Sequence, residues 1–160
     1  MITLILVRHA KSDWGTGRDD HERPLNDRGR RDAPAMARRL AATDVRPARI
    51  LSSTAVRART TAQAFADALG ISVETDETLY GAPGAKLLAA AASSGVSDVV
   101  VVAHDPGMTV LAERLSDGGI GAMPTCAVAT FVWDTDDWDV ATATPPARWN
   151  LDTPRDVSEG

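Results

Sequence analysis

The 160-residue sequence is poor in several features that would each indicate a particular class of protein. Its single cysteine, Cys126, cannot form a disulfide within the chain, and its apolar neighbours indicate a buried thiol rather than a reactive one. No apolar run approaches the ~20 residues that a membrane-spanning helix needs. The apolar stretch 2–7 is also too short for the core of a signal peptide. We therefore expect a cytoplasmic protein that does not enter a membrane.

Clustered positive charge is also missing. Lys and Arg together number 17 against 22 Asp and Glu, which gives a net charge of −5 without any long basic run. Nucleic-acid binding needs a concentrated basic surface, so nucleic acid is not an expected partner. Neither glycine-rich nucleotide loop, GxxxxGK[ST] or GxGxxG, occurs in the chain. A phosphate group, if one binds, would have to be held by side chains.

The composition that remains is that of a globular domain, with 44% hydrophobic and 24% charged residues. Short apolar runs alternate with amphipathic segments of helical period, and the valine-rich run 98–103 is typical of a central parallel strand. This alternation predicts an α/β three-layer sandwich, with a mostly parallel central sheet and helices on both faces. We expect a single domain over residues 1–150 and a flexible C-terminal tail over 151–160.

Three local features give more detailed expectations. Ser53 or Thr54 is suited to cap the helix that follows the second strand. Pro34 fits poorly inside a helix, so the first helix should start late or kink there. The segments 126–133 and 138–144 both have the composition of late strands, with a turn between them.

Unusual side chains follow three of the predicted strands. Arg8 and His9 follow the first strand, His104 and Asp105 follow the valine strand, and Arg57 lies in the first turn of the helix after the second strand. Ligands of open α/β sheets bind beyond the carboxyl ends of the strands. If these strands are parallel neighbours, the two arginines, the two histidines and a helix N-terminus meet at one edge.

A phosphate group is the ligand that this combination suits. The guanidinium fork matches phosphate oxygens, and a helix N-terminus adds N–H donors and a favourable dipole. A metal site made by His9, His21, His104 and Asp105 is the alternative. Two neighbouring arginines would repel a divalent cation, so we predict no metal and no other cofactor.

The residues around these positions resemble three motifs of the histidine phosphatase superfamily, which has the phosphoglycerate-mutase-like fold. The first lies at 6–10 around Arg8 and His9, the second at 52–62 around Arg57, and the third at 102–107 around His104. The run 8–12, followed by 23–26 and Gly29, is similar to the small bacterial phosphohistidine phosphatases of the SixA type. The resemblance implies that His9 is phosphorylated during turnover and that Arg8, Arg57 and His104 bind the phosphoryl oxygens.

Chemical reasoning extends this assignment. His9 must attack as a neutral imidazole, and the charges of Arg8 and Arg57 should lower its pKa. A protonated His104 would donate a further charge-assisted hydrogen bond. Arg23 and Lys11 are candidate secondary phosphate contacts. The general acid is the least defined part: Asp105 is a candidate but could instead cap the next helix, and Asp76 and Glu77 are weaker candidates.

The expected substrate is phosphohistidine on a protein, because a chain of this length has little room for the insertions with which larger relatives cover the site. A broad small-molecule phosphomonoesterase of the same fold is one alternative. A non-catalytic module that reads phosphate is another, although binding alone does not require a nucleophile at position 9. A mutase acting on a sugar acid is disfavoured by the missing lid sequence. No oligomeric state follows from the sequence.

Overall fold

The structure is a computed structural model that describes residues 1–154. A six-stranded sheet runs through the molecule in the order β3-β2-β4-β1-β5-β6. The strands are β1 (Ile2–Arg8), β2 (Arg49–Ser52), β3 (Val73–Thr75), β4 (Asp98–Ala103), β5 (Val128–Trp133) and β6 (Arg148–Asp152). The helices are α1 (Asp27–Ala41), α2 (Val56–Leu69), α3 (Gly84–Ala92), α4 (Gly107–Leu115) and α5 (Trp138–Ala143).

Strands β1 to β4 pair in parallel, and β5 and β6 extend the sheet in antiparallel pairs. The strand residues alternate between two apolar cores. Leu4 and Leu6 of β1 belong to the core that also contains Met108 and Leu111 of α4. Val7 belongs to the opposite core, which includes α1 and α2. Helices therefore cover both faces, and the predicted α/β sandwich is confirmed.

The Asn26 cap of the first helix fits the sequence, which offers Asn26 or Asp27, but a late start at Pro34 and a side-chain cap of the second helix are not observed. Helix α1 begins at Asp27 with Asn26 as its cap, because the Asn26 side chain accepts a hydrogen bond from the Gly29 N–H; Pro34 lies inside the helix and does not delay its start. Helix α2 has Ala55 at its N-cap and no side-chain cap. Neither Ser53 nor Thr54 caps it. Ser53 contributes instead to the site described below.

The predicted strand 138–144 is wrong. Residues 138–143 form α5, because Asp137 accepts a hydrogen bond from the Asp139 N–H and so caps a helix. The last strand is β6, which pairs with β5 and includes Leu151 and Asp152 at the start of the predicted tail. Residues 155–160 of that tail lie outside the described part of the chain.

Candidate active site

The strand ends meet as the sequence predicts. β4 lies between β1 and β2, with Arg8 opposite Ala103 and Ser52 opposite Val102. The residues that follow these strands therefore come together at one edge of the sheet. A cavity of about 540 Å³ opens there. Its lining includes every residue that the sequence assigns to the site: Arg8, His9, Lys11, Arg23, Arg57, His104 and Asp105.

His9 is held in one tautomer and one orientation. Its side chain is buried, and Nδ1 lies 2.8 Å from the carbonyl oxygen of Ala10. A carbonyl only accepts, so Nδ1 carries the proton and Nε2 keeps its lone pair. The Ala10 N–H in turn donates to Thr61 Oγ1 of α2 at 2.9 Å, which ties this turn to the helix. The result is an imidazole with a free nucleophilic nitrogen.

The electrostatics of the site keep His9 neutral. Burial is the main cause that lowers its pKa to about 3; the nearby His104, Arg57 and Arg8 act in the same direction, while the bond to Ala10 acts in the opposite one. The sequence reasoning attributed this effect to the arginines, but desolvation is the larger cause. Above about pH 4 the ring is therefore mostly unprotonated, which is the form that can attack phosphorus.

His104 is also neutral near pH 7, contrary to the protonated form considered from the sequence. Burial, and then the charge of Arg57, lower its pKa to about 4. Its Nε2 lies 2.7 Å from Ser53 Oγ, and its buried Nδ1 has no hydrogen-bond partner among residues 1–154. Its ring lies 5.2 Å from that of His9. A neutral imidazole can still donate one hydrogen bond to a phosphoryl oxygen.

Three arginines surround these rings. Arg8 Nη1 donates to the carbonyl of Met123 at 2.8 Å, and Arg57 Nη1 donates to the carbonyl of Asp20 at 2.6 Å. Arg23 is almost fully buried, and its guanidinium lies 3.6 Å from the ring centroid of Trp14. The arrangement concentrates positive charge around His9, where the oxygens of a phosphoryl group need it.

Asp20 is the site residue that the sequence analysis missed. Its carboxylate accepts hydrogen bonds from Arg57 Nη2 and Arg23 Nη2, both at 3.0 Å, and from the Tyr80 hydroxyl at 2.5 Å. The bond from Tyr80, followed by that from Arg23, holds the pKa of Asp20 far below its usual range. The only available signal was its position three residues before Arg23, and one acidic residue in a charged loop does not stand out.

Asp105 bonds to Thr109 in the first turn of α4, although the N-cap of this helix is Pro106 and has no side-chain cap. Its Oδ1 accepts from the Thr109 N–H at 2.9 Å, both of its oxygens lie within 2.9 Å of Thr109 Oγ1, and Oδ2 lies 3.5 Å from Arg8 Nη1. Asp76 and Glu77 are not part of the cavity lining, and Asp76 accepts from the N–H and hydroxyl of Thr78. The structure thus brings only Asp105 of the candidate acids to the site.

The remaining candidates have simpler surroundings. Lys11 is exposed on the cavity lining. His21, considered as a metal ligand, bonds to Thr54 Oγ1 at 2.8 Å and to Glu22. Among residues 1–154, no three His, Cys, Asp or Glu side chains are grouped so as to hold a metal ion. Cys126 is buried, and burial raises the pKa of its thiol to about 12, so this sulfur is not a nucleophile near pH 7.

Comparison with known proteins defines the family. Residues 4–81 match the model of the histidine phosphatase superfamily, branch 1. The structure resembles that of a putative phosphohistidine phosphatase SixA from Agrobacterium tumefaciens, with a TM-score of 0.76 and 31% sequence identity over 95% of this chain and 96% of the other. The chain belongs to the histidine phosphatase superfamily and is a phosphatase, as the three motifs predicted.

Two further matches show similarity in fold or in sequence. The protein histidine phosphatase SixA complexed with tungstate has the same fold, with a TM-score of 0.79 at 24% identity over 98% of this chain and 99% of the other. An uncharacterised protein of Mycobacterium tuberculosis is 38% identical over 109 residues, which cover 66% of this chain and 67% of the relative. None of the helices within residues 1–154 is long and apolar enough to cross a membrane.

Proposed function

We propose that this phosphatase removes the phosphoryl group from phosphohistidine on proteins, through a covalent intermediate on His9. The observation that carries the proposal is the state of His9: buried, neutral, and bound through Nδ1 to Ala10, so that Nε2 can act as the nucleophile beside Arg8 and Arg57. A module that only binds phosphate does not need an imidazole held in this way. The similarity to a putative phosphohistidine phosphatase supports the substrate class.

The proposed reaction has two displacements. His9 Nε2 attacks phosphorus, the bond from phosphorus to the substrate imidazole nitrogen breaks, and that nitrogen takes a proton from solvent. Water then attacks the phosphorus on His9, which releases inorganic phosphate and restores the neutral ring. Arg8 and Arg57 neutralise the phosphoryl oxygens in both steps, with His104 as a neutral donor and Arg23 and Lys11 as further contacts.

The substrate is argued from the shape of the site. The cavity lining includes the exposed ring of Trp14 and the partly exposed Tyr80. A phosphate displayed on a protein surface can reach such an opening. Imidazole is also a better leaving group than an alkoxide, so phosphohistidine depends less on a general acid, which suits a site where the Asp105 carboxylate is already bonded to Thr109.

The test compares two substrates in the presence of a chelator: a protein phosphorylated on histidine, and p-nitrophenyl phosphate. We expect faster phosphate release from phosphohistidine, and a loss of at least about 10³-fold in turnover for His9→Ala. An alkaline quench should trap an acid-labile phosphoenzyme in the wild type and none in His9→Ala. His21→Ala is the matched control, because its ring packs against Tyr80 but is not part of the cavity lining, so the phosphoenzyme on His9 should still form.

Each outcome has a defined meaning. Faster hydrolysis of the small ester would replace the proposal with a small-molecule phosphomonoesterase. Retained turnover in His9→Ala would contradict His9 as the nucleophile. Phosphate binding without turnover of either substrate would contradict the proposed hydrolysis and favour a module that reads phosphate.

A further inference from the structure

The three arginines of the site share one pattern of hydrogen bonding. In each of them at least one Nη atom donates to a protein group, whereas the Nε is buried and has no hydrogen-bond partner among the described residues. Arg8 uses Nη1 for Met123, and Arg57 uses both Nη atoms for Asp20. Arg23 uses Nη1 for Ser12 and Nη2 for Asp20. Each guanidinium is therefore anchored to the protein through its Nη end.

Asp20 anchors two of the three. Its backbone carbonyl accepts a hydrogen bond from Arg57 Nη1, and its Oδ2 accepts one from Arg57 Nη2. Its Oδ1 accepts a hydrogen bond from Arg23 Nη2. Both arginine side chains are buried, with 6% and 7% of their surface exposed, while the Asp20 side chain is 50% exposed. Tyr80 donates to the same Oδ2 that accepts from Arg57 and so fixes the carboxylate itself.

An anion in a phosphate pocket presents a physical conflict. Coulomb repulsion between the Asp20 carboxylate and an incoming phosphoryl dianion should weaken binding. In the other direction, an arginine side chain loses rotamer entropy when it is fixed, and two buried guanidiniums need a counter-charge. If the carboxylate fixes both forks before the ligand arrives, the ligand does not bear that entropy loss.

We propose that Asp20 is a positioning residue that holds Arg57 and Arg23 by their Nη ends and so fixes both guanidinium groups on the cavity lining before the phosphoryl group arrives. This inference rests on the proposed function, since it assumes that the phosphoryl group binds beside His9. It does not make Asp20 a proton donor, because a carboxylate that accepts from two arginines and a tyrosine has no proton to give. Tyr80 is assigned the role of fixing Asp20.

Asp20→Asn is the direct test, with inorganic phosphate as the probe and isothermal titration calorimetry as the measurement. Positioning predicts a dissociation constant about tenfold higher than that of the wild type, although the pocket has become more positive. Simple electrostatics predicts tighter binding. Asp19→Asn is the matched control, because it makes the same charge change one residue away and the Asp19 side chain makes no capping hydrogen bond. We expect it to change the constant less than twofold.

A stability measurement separates positioning from charge compensation alone. If Asp20 only compensates buried arginines, Asp20→Asn loses free energy of unfolding while its phosphate affinity matches that of Asp19→Asn, and the inference is overturned. Unchanged or tighter binding in Asp20→Asn overturns it as well. A wild-type protein that does not bind phosphate would instead refute the proposed function, and the inference with it.

A double-mutant cycle with Arg57→Lys provides the second test. Lysine cannot form the two-pronged contact with Asp20, so the effect of Asp20→Asn on phosphate binding should shrink to less than about threefold in that background. An undiminished effect in the cycle would show that Asp20 does not act through Arg57 and would also overturn the inference.

Discussion

At the scale of single residues, the protonation states of the site follow from burial more than from charge. The sequence placed two arginines beside His9 and so predicted the correct direction of its pKa, but the size of the effect comes from desolvation. The same burial makes His104 neutral. Burial depends on the packing of helices against the sheet, which local sequence does not define. For this reason the arginines near His9 could be predicted from the sequence, whereas the neutral form of His104 could not.

The role of Asp105 is a residue-scale question that substrate chemistry can answer. A general acid matters most when the leaving group is basic, so loss of an acid should affect an alkyl phosphate far more than an aryl phosphate. The Asp105 carboxylate accepts from the N–H and hydroxyl of Thr109 and lies near Arg8, so its oxygens already have partners. We therefore expect Asp105→Asn to lower kcat/KM on the two esters by similar factors, measured with phenyl and butyl phosphate. A selective loss on the alkyl ester would assign the acid role to Asp105.

At the scale of elements, the parallel strands and the site at their ends were predictable because their patterns are local. A buried run such as 98–103 defines β4, and residues that follow parallel strands share one edge. Helix α5 and strand β6 were not predictable from composition. Val140 and Thr142 have β-branched side chains that favour a strand, but the Asp137 side chain caps the first turn and stabilises a helix instead. Ser53 was expected at a helix cap, whereas it bonds to His104, which lies 51 residues further along the chain.

The contact between α4 and the turn before α3 gives a prediction at this scale. Gly107 lies in the first turn of α4, and a Cβ there would collide with the backbone carbonyl of Ala82. Alanine in a helix usually stabilises relative to glycine by about 1 kcal/mol. Here we expect Gly107→Ala to destabilise by about 1–3 kcal/mol, because the carbonyl must move. Urea unfolding measures the change.

Gly121→Ala is the control for that experiment, because a Cβ at this position would have no described atom within 4 Å apart from its chain neighbours. It should change the free energy of unfolding by less than about 0.5 kcal/mol. Ala82 is two residues from Tyr80, so Gly107→Ala should also weaken phosphate binding. If the two alanine variants have the same free energy of unfolding, the backbone at Ala82 moves to accommodate the new Cβ without loss of stability.

At the scale of the whole molecule, net charge and local charge have opposite signs. The chain carries −5 overall. The cavity lining carries four cationic side chains, Arg8, Lys11, Arg23 and Arg57, against the two carboxylates of Asp20 and Asp105, an excess of two positive charges. The negative surface keeps other polyanions away, while the cavity attracts a phosphoryl group once it is within about 10 Å, the Debye length at 0.1 M salt.

This opposition makes the salt dependence of catalysis informative. If the cavity controls the encounter, kcat/KM for an anionic substrate should fall about three- to tenfold between about 20 and 200 mM KCl, because salt screens the attraction. If net charge controls it, kcat/KM should rise. Lys11→Met should flatten the fall, since Lys11 is the exposed cation of the cavity, whereas Lys86→Met makes the same charge change on α3 and should leave the slope as in the wild type. Equal slopes in both variants would mean that Lys11 does not attract the substrate, and a rising wild-type profile would mean that the cavity field does not extend beyond its opening.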